Sequence, residues 1–152
     1  MQVKEILQIK GSTLYTATPA TTLAEAVISM ADNDIGSVVV MEAGKLVGML
    51  TFREIIKVLA KRQQENRIGP TPTMSQILVA EVMENEPAIA NPAMEVDELR
   101  TLMLESHQRY MPVMEGDTLL GVISFHDVAR AVLEEQAFEN RMLKGYIKNW
   151  PA

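Results

Sequence analysis

The sequence predicts a mixed α/β (α+β) protein built from two pseudo-symmetric β-α-β-β-α repeats packed sheet to sheet. Three observations carry this. Shifted by 73 residues, the chain aligns with itself without a gap from Pro19 to Gln63. Each half shows a helical period, then two short apolar runs around a glycine-containing turn, then a second helical stretch. Between the halves, Glu65 to Thr73 carries Gly69, Pro70 and Pro72, which break helix and strand alike.

The matches fall on structurally meaningful positions. Pro19-Ala20 lies on Pro92-Ala93, Glu25 on Glu98, and Met30 on Met103. Val40-Met41-Glu42 lies on Val113-Met114-Glu115, Leu46 and Gly48 on Leu119 and Gly121, Phe52 on Phe125, and Gln63 on Gln136. Elsewhere character persists: Leu50 faces Ile123, Thr51 faces Ser124, and Lys57 faces Arg130. Upstream, the same shift places Ile6 and Ile9 on Val79 and Val82.

In the first half, Leu23, Val27 and Met30 recur at helical spacing behind Thr21 or Thr22, either a natural cap, and Thr22 to Glu25 has capping-box form. Ser37 to Met41 and Leu46 to Leu50 then read as a hairpin around Ala43-Gly44-Lys45. A second helix is expected over Phe52 to Arg62. The second half repeats the order: a helix from near Met94 through Val96, Leu99, Leu102 and Met103, strands over Tyr110 to Met114 and Leu119 to Ile123 about Gly116-Asp117, and a helix over Phe125 to Gln136. The expected organisation is a first repeat with its N-terminal segment over 1–64, a linker over 65–77, a second repeat over 78–137, and a tail over 138–152. A unit of about 55 residues buries too little surface to stand well alone, and a sheet covered on one face exposes the other.

Composition removes several functions. Hydrophobic residues make up 47% and charged residues 22%, which suits a folded globular chain. No cysteine is present, so disulfides, thiolate metal sites and cysteine nucleophiles are excluded. A net charge of −6 argues against nucleic-acid binding through a broad basic surface. No apolar run approaches the ~20 residues of a membrane span, and the N-terminus lacks the apolar core of a signal peptide. The expected location is cytoplasmic, with no membrane partner. His107 and His126 are the only histidines and stand in no metal-ligand spacing, so no metal is expected. Neither a Gly-x-Ser-x-Gly elbow nor a Walker-type loop occurs. Glu54 and Asp127 can be imagined as a catalytic acid pair, but the repeat explains both without catalysis. No catalytic residue is assigned and the chain is not expected to be an enzyme. The eleven methionines are spread along the chain as core filler, with Met49, Met111 and Met114 also able to soften a ligand slot.

Each hairpin ends on glycine, two apolar residues, Thr or Ser, two variable residues and an acid. These are Gly48-Met49-Leu50-Thr51-Phe52-Arg53-Glu54 and Gly121-Val122-Ile123-Ser124-Phe125-His126-Asp127. With the apolar run Met111-Pro112-Val113-Met114, its counterpart Val38-Val39-Val40-Met41, and the entry segment Val82-Met83, the chain resembles a tandem pair of CBS domains over about residues 5–137. The tail, Asn140 to Ile147 followed by Trp150-Pro151, resembles the extension of stand-alone bacterial CBS-pair proteins, and the single Trp suggests that it docks.

This resemblance implies a regulatory module that holds an adenine nucleotide between its repeats. AMP, ADP or ATP is expected in preference to S-adenosylmethionine or NAD, and no other cofactor is required. A carboxylate can accept hydrogen bonds from both ribose hydroxyls, a role that falls to Asp127. Ser124 can reach ribose or the first phosphate, at a helix start that favours anions. The same two residues would also serve as helix-capping groups with no ligand at all. Tyr15, Thr16, Ile35 and Gly36 of the other repeat would read the adenine, with Gly36 either admitting close approach or making a turn. His126 and Arg53 occupy equivalent positions and would face phosphates, with Arg130 nearby; a solvated role is open for Arg53, as is a helix-end role for His107. A weaker second site would pair Thr51, Arg53 and Glu54 with Ala88, Gln108, Arg109 and Tyr110. There Glu54 replaces the usual Asp and extends the carboxylate by a methylene, while Arg109 replaces a small residue. The expected partners are a second copy, forming a homodimer, and a regulated protein that the sequence does not identify. The alternative is a protein–protein interaction or dimerisation module with vestigial pockets.

Overall fold

The computed structural model describes residues 1–11, 13–66 and 69–148, with only the backbone of residues 147 and 148. In chain order the elements are α1 (Val3–Lys10), β1 (Thr16–Ala17), α2 (Leu23–Asp32), β2 (Ser37–Glu42), β3 (Lys45–Thr51), α3 (Phe52–Glu65), α4 (Val79–Val82), β4 (Glu84–Asn85), α5 (Val96–Ser106), β5 (Tyr110–Glu115), β6 (Thr118–Ser124) and α6 (Phe125–Lys148). The strands form one sheet of order β1-β2-β3-β4 and a β5-β6 hairpin.

The repeat survives at the level of register. Val40 pairs with Gly48 and a bulge follows Val40; 73 residues on, Val113 pairs with Gly121 and a bulge follows Val113. Ala17 pairs in parallel with Val40, and Ala90 with Val113. Each first helix is followed within two residues by one with positive φ, Asp34 at 51° and His107 at 58°. One difference has a covalent cause. Pro112 stands where Val39 pairs with Thr16, and proline offers no N–H to a ladder. The second repeat accordingly keeps a single parallel bridge where the first has a two-residue strand.

Local sequence explains the elements. The Thr22 hydroxyl accepts the N–H of Glu25 and caps α2. In β2, Ser37, Val38, Val39 and Val40 are all buried, because both faces of the strand are covered. Val38, Val40 and Leu50 join the core beneath α2 and α3. Val39 and its cross-strand partner Met49 point to the other face, yet are only 0% and 2% exposed. The second repeat closes that face: Met49 borders a crevice together with Tyr110 and Phe125.

The β2–β3 turn places Ala43 and Gly44 at φ 51° and 76°, the two positive values of a type I′ turn. Alanine is strained there where glycine is not. Ala43→Gly is expected to raise stability by about 0.5–1 kcal/mol, read as a higher urea midpoint at unchanged slope.

Upstream of each repeat the offset is not 73. Gln2 bridges to Glu95 and Leu78 bridges to Thr22, so the equivalent positions there are 76 apart. Val3 and Ile6, rather than Ile6 and Ile9, correspond to Val79 and Val82; Ile9 is 63% exposed. Glu5 and Glu81 hold matching places, each bonding back to the backbone N–H three residues earlier. The two segments also change places. Val3 and Ile6 belong to the core of the second repeat, with Leu99, Met111 and Ile123. Val79 belongs to the core of the first, with Leu23, Val38 and Leu50. Strand glycines receive them: a Cβ on Gly121 would strike Leu7, and one on Gly48 would strike Met83. Neither core is complete without the segment that precedes the other repeat.

The last helix extends well past Gln136. α6 runs unbroken to Lys148, and Phe138, Met142, Leu143 and Tyr146 on it are exposed. Trp150 and Pro151, on which docking of the tail was expected to rest, lie outside the described residues.

Candidate functional site

Two crevices open between the repeats, of about 540 and 790 Å³. Both fall in the range of small-molecule sites. Each is headed by the N-terminus of the helix that follows a hairpin.

In the first crevice, Ser124 at the end of β6 and His126 at the start of α6 face Tyr15, Ile35 and Gly36 from the other repeat. Part of the predicted motif, Ser124 with His126, and part of the predicted slot therefore line one cleft. Asp127 does not line the crevice but is bonded to Ser124, which does. Its Oδ2 accepts the Ser124 N–H at 2.8 Å, and its own N–H donates to Ser124 Oγ at 3.0 Å, a reciprocal helix cap. The same Oδ2 accepts from Lys10 Nζ at 2.6 Å, and Lys10 Nζ also donates to the Val122 carbonyl at 2.6 Å.

Lys10 is a residue of the candidate site that sequence reasoning missed. It closes α1, and its partner lies 117 positions away. Only the placement of the N-terminal segment on the second repeat joins them. Burial on its own would raise the Asp127 carboxyl. The Lys10 hydrogen bond, the Ser124 N–H and the Lys10 charge outweigh it and hold the carboxyl below its usual value. A lowered folded-state pKa stabilises the fold above the unfolded value of about 3.9, and that contribution is lost as pH falls through the folded value. Lys10→Met is expected to raise the Asp127 titration midpoint in a carbon-13 NMR pH series. Its cost at neutral pH should be at most about 1 kcal/mol, since both side chains remain within reach of water.

Three residues expected at this site, Asp127, Thr16 and Arg130, lie off its walls. Thr16 is exposed and held by its backbone pairing to Val39. Arg130 points to solvent and pairs with Glu134 at 3.2 Å, one turn along α6. Gly36 lies on the wall and does admit a close approach, but by Tyr110 and Phe52, whose rings fill the space a Cβ would need.

The second crevice gathers Thr51, Arg53, Glu54, Gln108, Arg109 and Tyr110. Glu54 does not extend outward as its added methylene suggests. It is 6% exposed and folds back, its Oε1 accepting the Thr51 N–H at 2.8 Å and the Thr51 hydroxyl at 2.9 Å. Ala88 is not on the wall, and its backbone is bonded to the Gln108 carboxamide. Arg109 and Tyr110 border both crevices, and His107 borders the second while terminating α5. Among the described residues no cluster of His, Cys, Asp or Glu could hold a metal ion. No helix there is long and apolar enough to cross a membrane.

Two duplicated units that close over paired crevices, each headed by a glycine-to-acid motif, define a class of tandem repeat module. The sequence pattern of the CBS domain matches residues 3–61 and 79–134, and the chain belongs to the CBS domain family. The CBS domain-containing protein YhcV of Bacillus subtilis (strain 168) is 32% identical over 114 residues, 75% of each chain. The CBS-domain containing protein ATU1752 from Agrobacterium tumefaciens superimposes with a TM-score of 0.76 at 29% identity, covering 86% of this chain and 98% of that one. CBSX2, solved in complex with AMP, shares the fold at 19% identity and a TM-score of 0.70, covering 89% and 98%.

Proposed function

We propose that this chain is a non-catalytic regulatory sensor of an adenine nucleotide, AMP, ADP or ATP, held in the first crevice. The observation that carries the reading is the meeting of Ser124 and His126 with Tyr15, Ile35 and Gly36 across one cleft. Lys10 lowers the Asp127 pKa and so favours the carboxylate, the form that accepts two hydroxyl hydrogen bonds. Lys10 and His126 also bring positive charge or donors to the wall, suited to a phosphate. The AMP complex of CBSX2 gives a precedent on this fold.

In this reading, a ligand spanning the repeats favours one relative orientation of them, and a regulated protein responds to that bias. Exposed Phe52, Ile56 and Leu59 on α3 and Leu133 on α6 suit a homodimer. Thermal unfolding against AMP, ADP, ATP, S-adenosylmethionine and NAD tests the proposal. A ligand at 100 times its dissociation constant adds ~2.7 kcal/mol. A flat response to the whole panel would favour the interaction module over the sensor.

A further inference from the structure

The two crevices are built alike but closed differently. In the first, Tyr15 lines the cleft beside Ile35, whose side chain has no polar group. Seventy-three residues on, the equivalents are Ala88 and Gln108. The Gln108 Oε1 accepts the Ala88 N–H at 2.6 Å, and its Nε2 donates to the Ala88 carbonyl at 3.1 Å. Nε2 also lies 3.3 Å from the Tyr110 carbonyl. A carboxamide presents one acceptor beside one donor. The amidine edge of adenine, a ring nitrogen beside an exocyclic amine, presents the same array. Pro112 completes the arrangement, since it has no N–H to offer the sheet where Val39 does.

We infer that Gln108 is an internal occupant of the second crevice, its carboxamide filling the backbone edge that a purine would otherwise read. This rests on the proposal that the first crevice binds an adenine nucleotide. It means that the native chain binds one nucleotide, at the first crevice alone. Gln108 thereby sets the number of ligands, independently of the placement of Glu54.

Calorimetric titration of the full chain with AMP and with ATP tests this, alongside Gln108→Ile, which copies Ile35, and Gln108→Ala. One ligand per native chain and two per chain of either folded variant is the expected result. Two per native chain, or one per folded variant, would overturn the inference and leave the first-crevice reading intact. No binding to the native chain with one ligand on the variants would do the reverse. A ligand-free readout covers the remaining case. Hydrogen exchange at the Ala88 amide should accelerate about tenfold in Gln108→Ala, as expected on losing one hydrogen bond of ordinary strength. Equal exchange in the two proteins rules out the occupant whatever the nucleotides do.

Discussion

Ile6→Ala is expected to destabilise the protein by about 2–5 kcal/mol, the range for truncating a buried branched side chain. Position 6 looks like a place of tolerance, since terminal residues are commonly frayed and replaceable. Here Ile6 is 3% exposed and packs in the same cluster as Val96, Leu99, Met111 and Ile123. The methylenes removed come from the core of the second repeat, where a rigid hairpin on one side and α6 on the other limit collapse into the void. Ile9→Ala, three residues on at a 63% exposed site, should cost less than about 0.5 kcal/mol. The pair of urea midpoints is the measurement. Equal, small losses for both would mean that α1 does not complete the second core.

Asp127→Ala is expected to abolish the nucleotide-induced thermal shift, removing the ~2.7 kcal/mol that a ligand at 100 times its dissociation constant supplies. The carboxylate is the only acid in the first turn of α6, and its ionised form is secured by Lys10 and the Ser124 N–H. The substitution also removes a helix cap, so the ligand-free protein should itself lose about 1 kcal/mol, and the shift must be read from each protein's own baseline. Glu54→Ala provides the contrast. It deletes the matching cap on α3 and should lower the baseline by a similar ~1 kcal/mol, while leaving the nucleotide shift in place. A shift that survives Asp127→Ala and disappears in Glu54→Ala would move the proposed site to the second crevice.

The two expectations differ in how far the sequence anticipates them. Ser124 and Asp127 are three residues apart, and so are Thr51 and Glu54. Cap geometry over that spacing is local, so a reader of the chain can place both pairs at helix starts and equate them through the repeat. The hairpin turn at Ala43-Gly44 belongs to the same local kind. The misplaced offset at Ile6 and Ile9 has the opposite character. Short amphipathic helices give a weak periodic signal, and the three-residue slip shows only when Gln2 and Leu78 are seen bridging to Glu95 and Thr22.

By itself, then, the chain determined a duplicated unit, its strand and helix order, and the two acid-bearing helix starts, because each depends on contacts within a few residues or on comparing one half with the other. Tertiary structure alone decided which entry segment covers which strand glycine, that Lys10 reaches Asp127, and that Gln108 turns onto Ala88. These partners are chosen by how separate segments cross in space, and hydrophobic pattern fixes the burial of a segment without naming the surface that buries it.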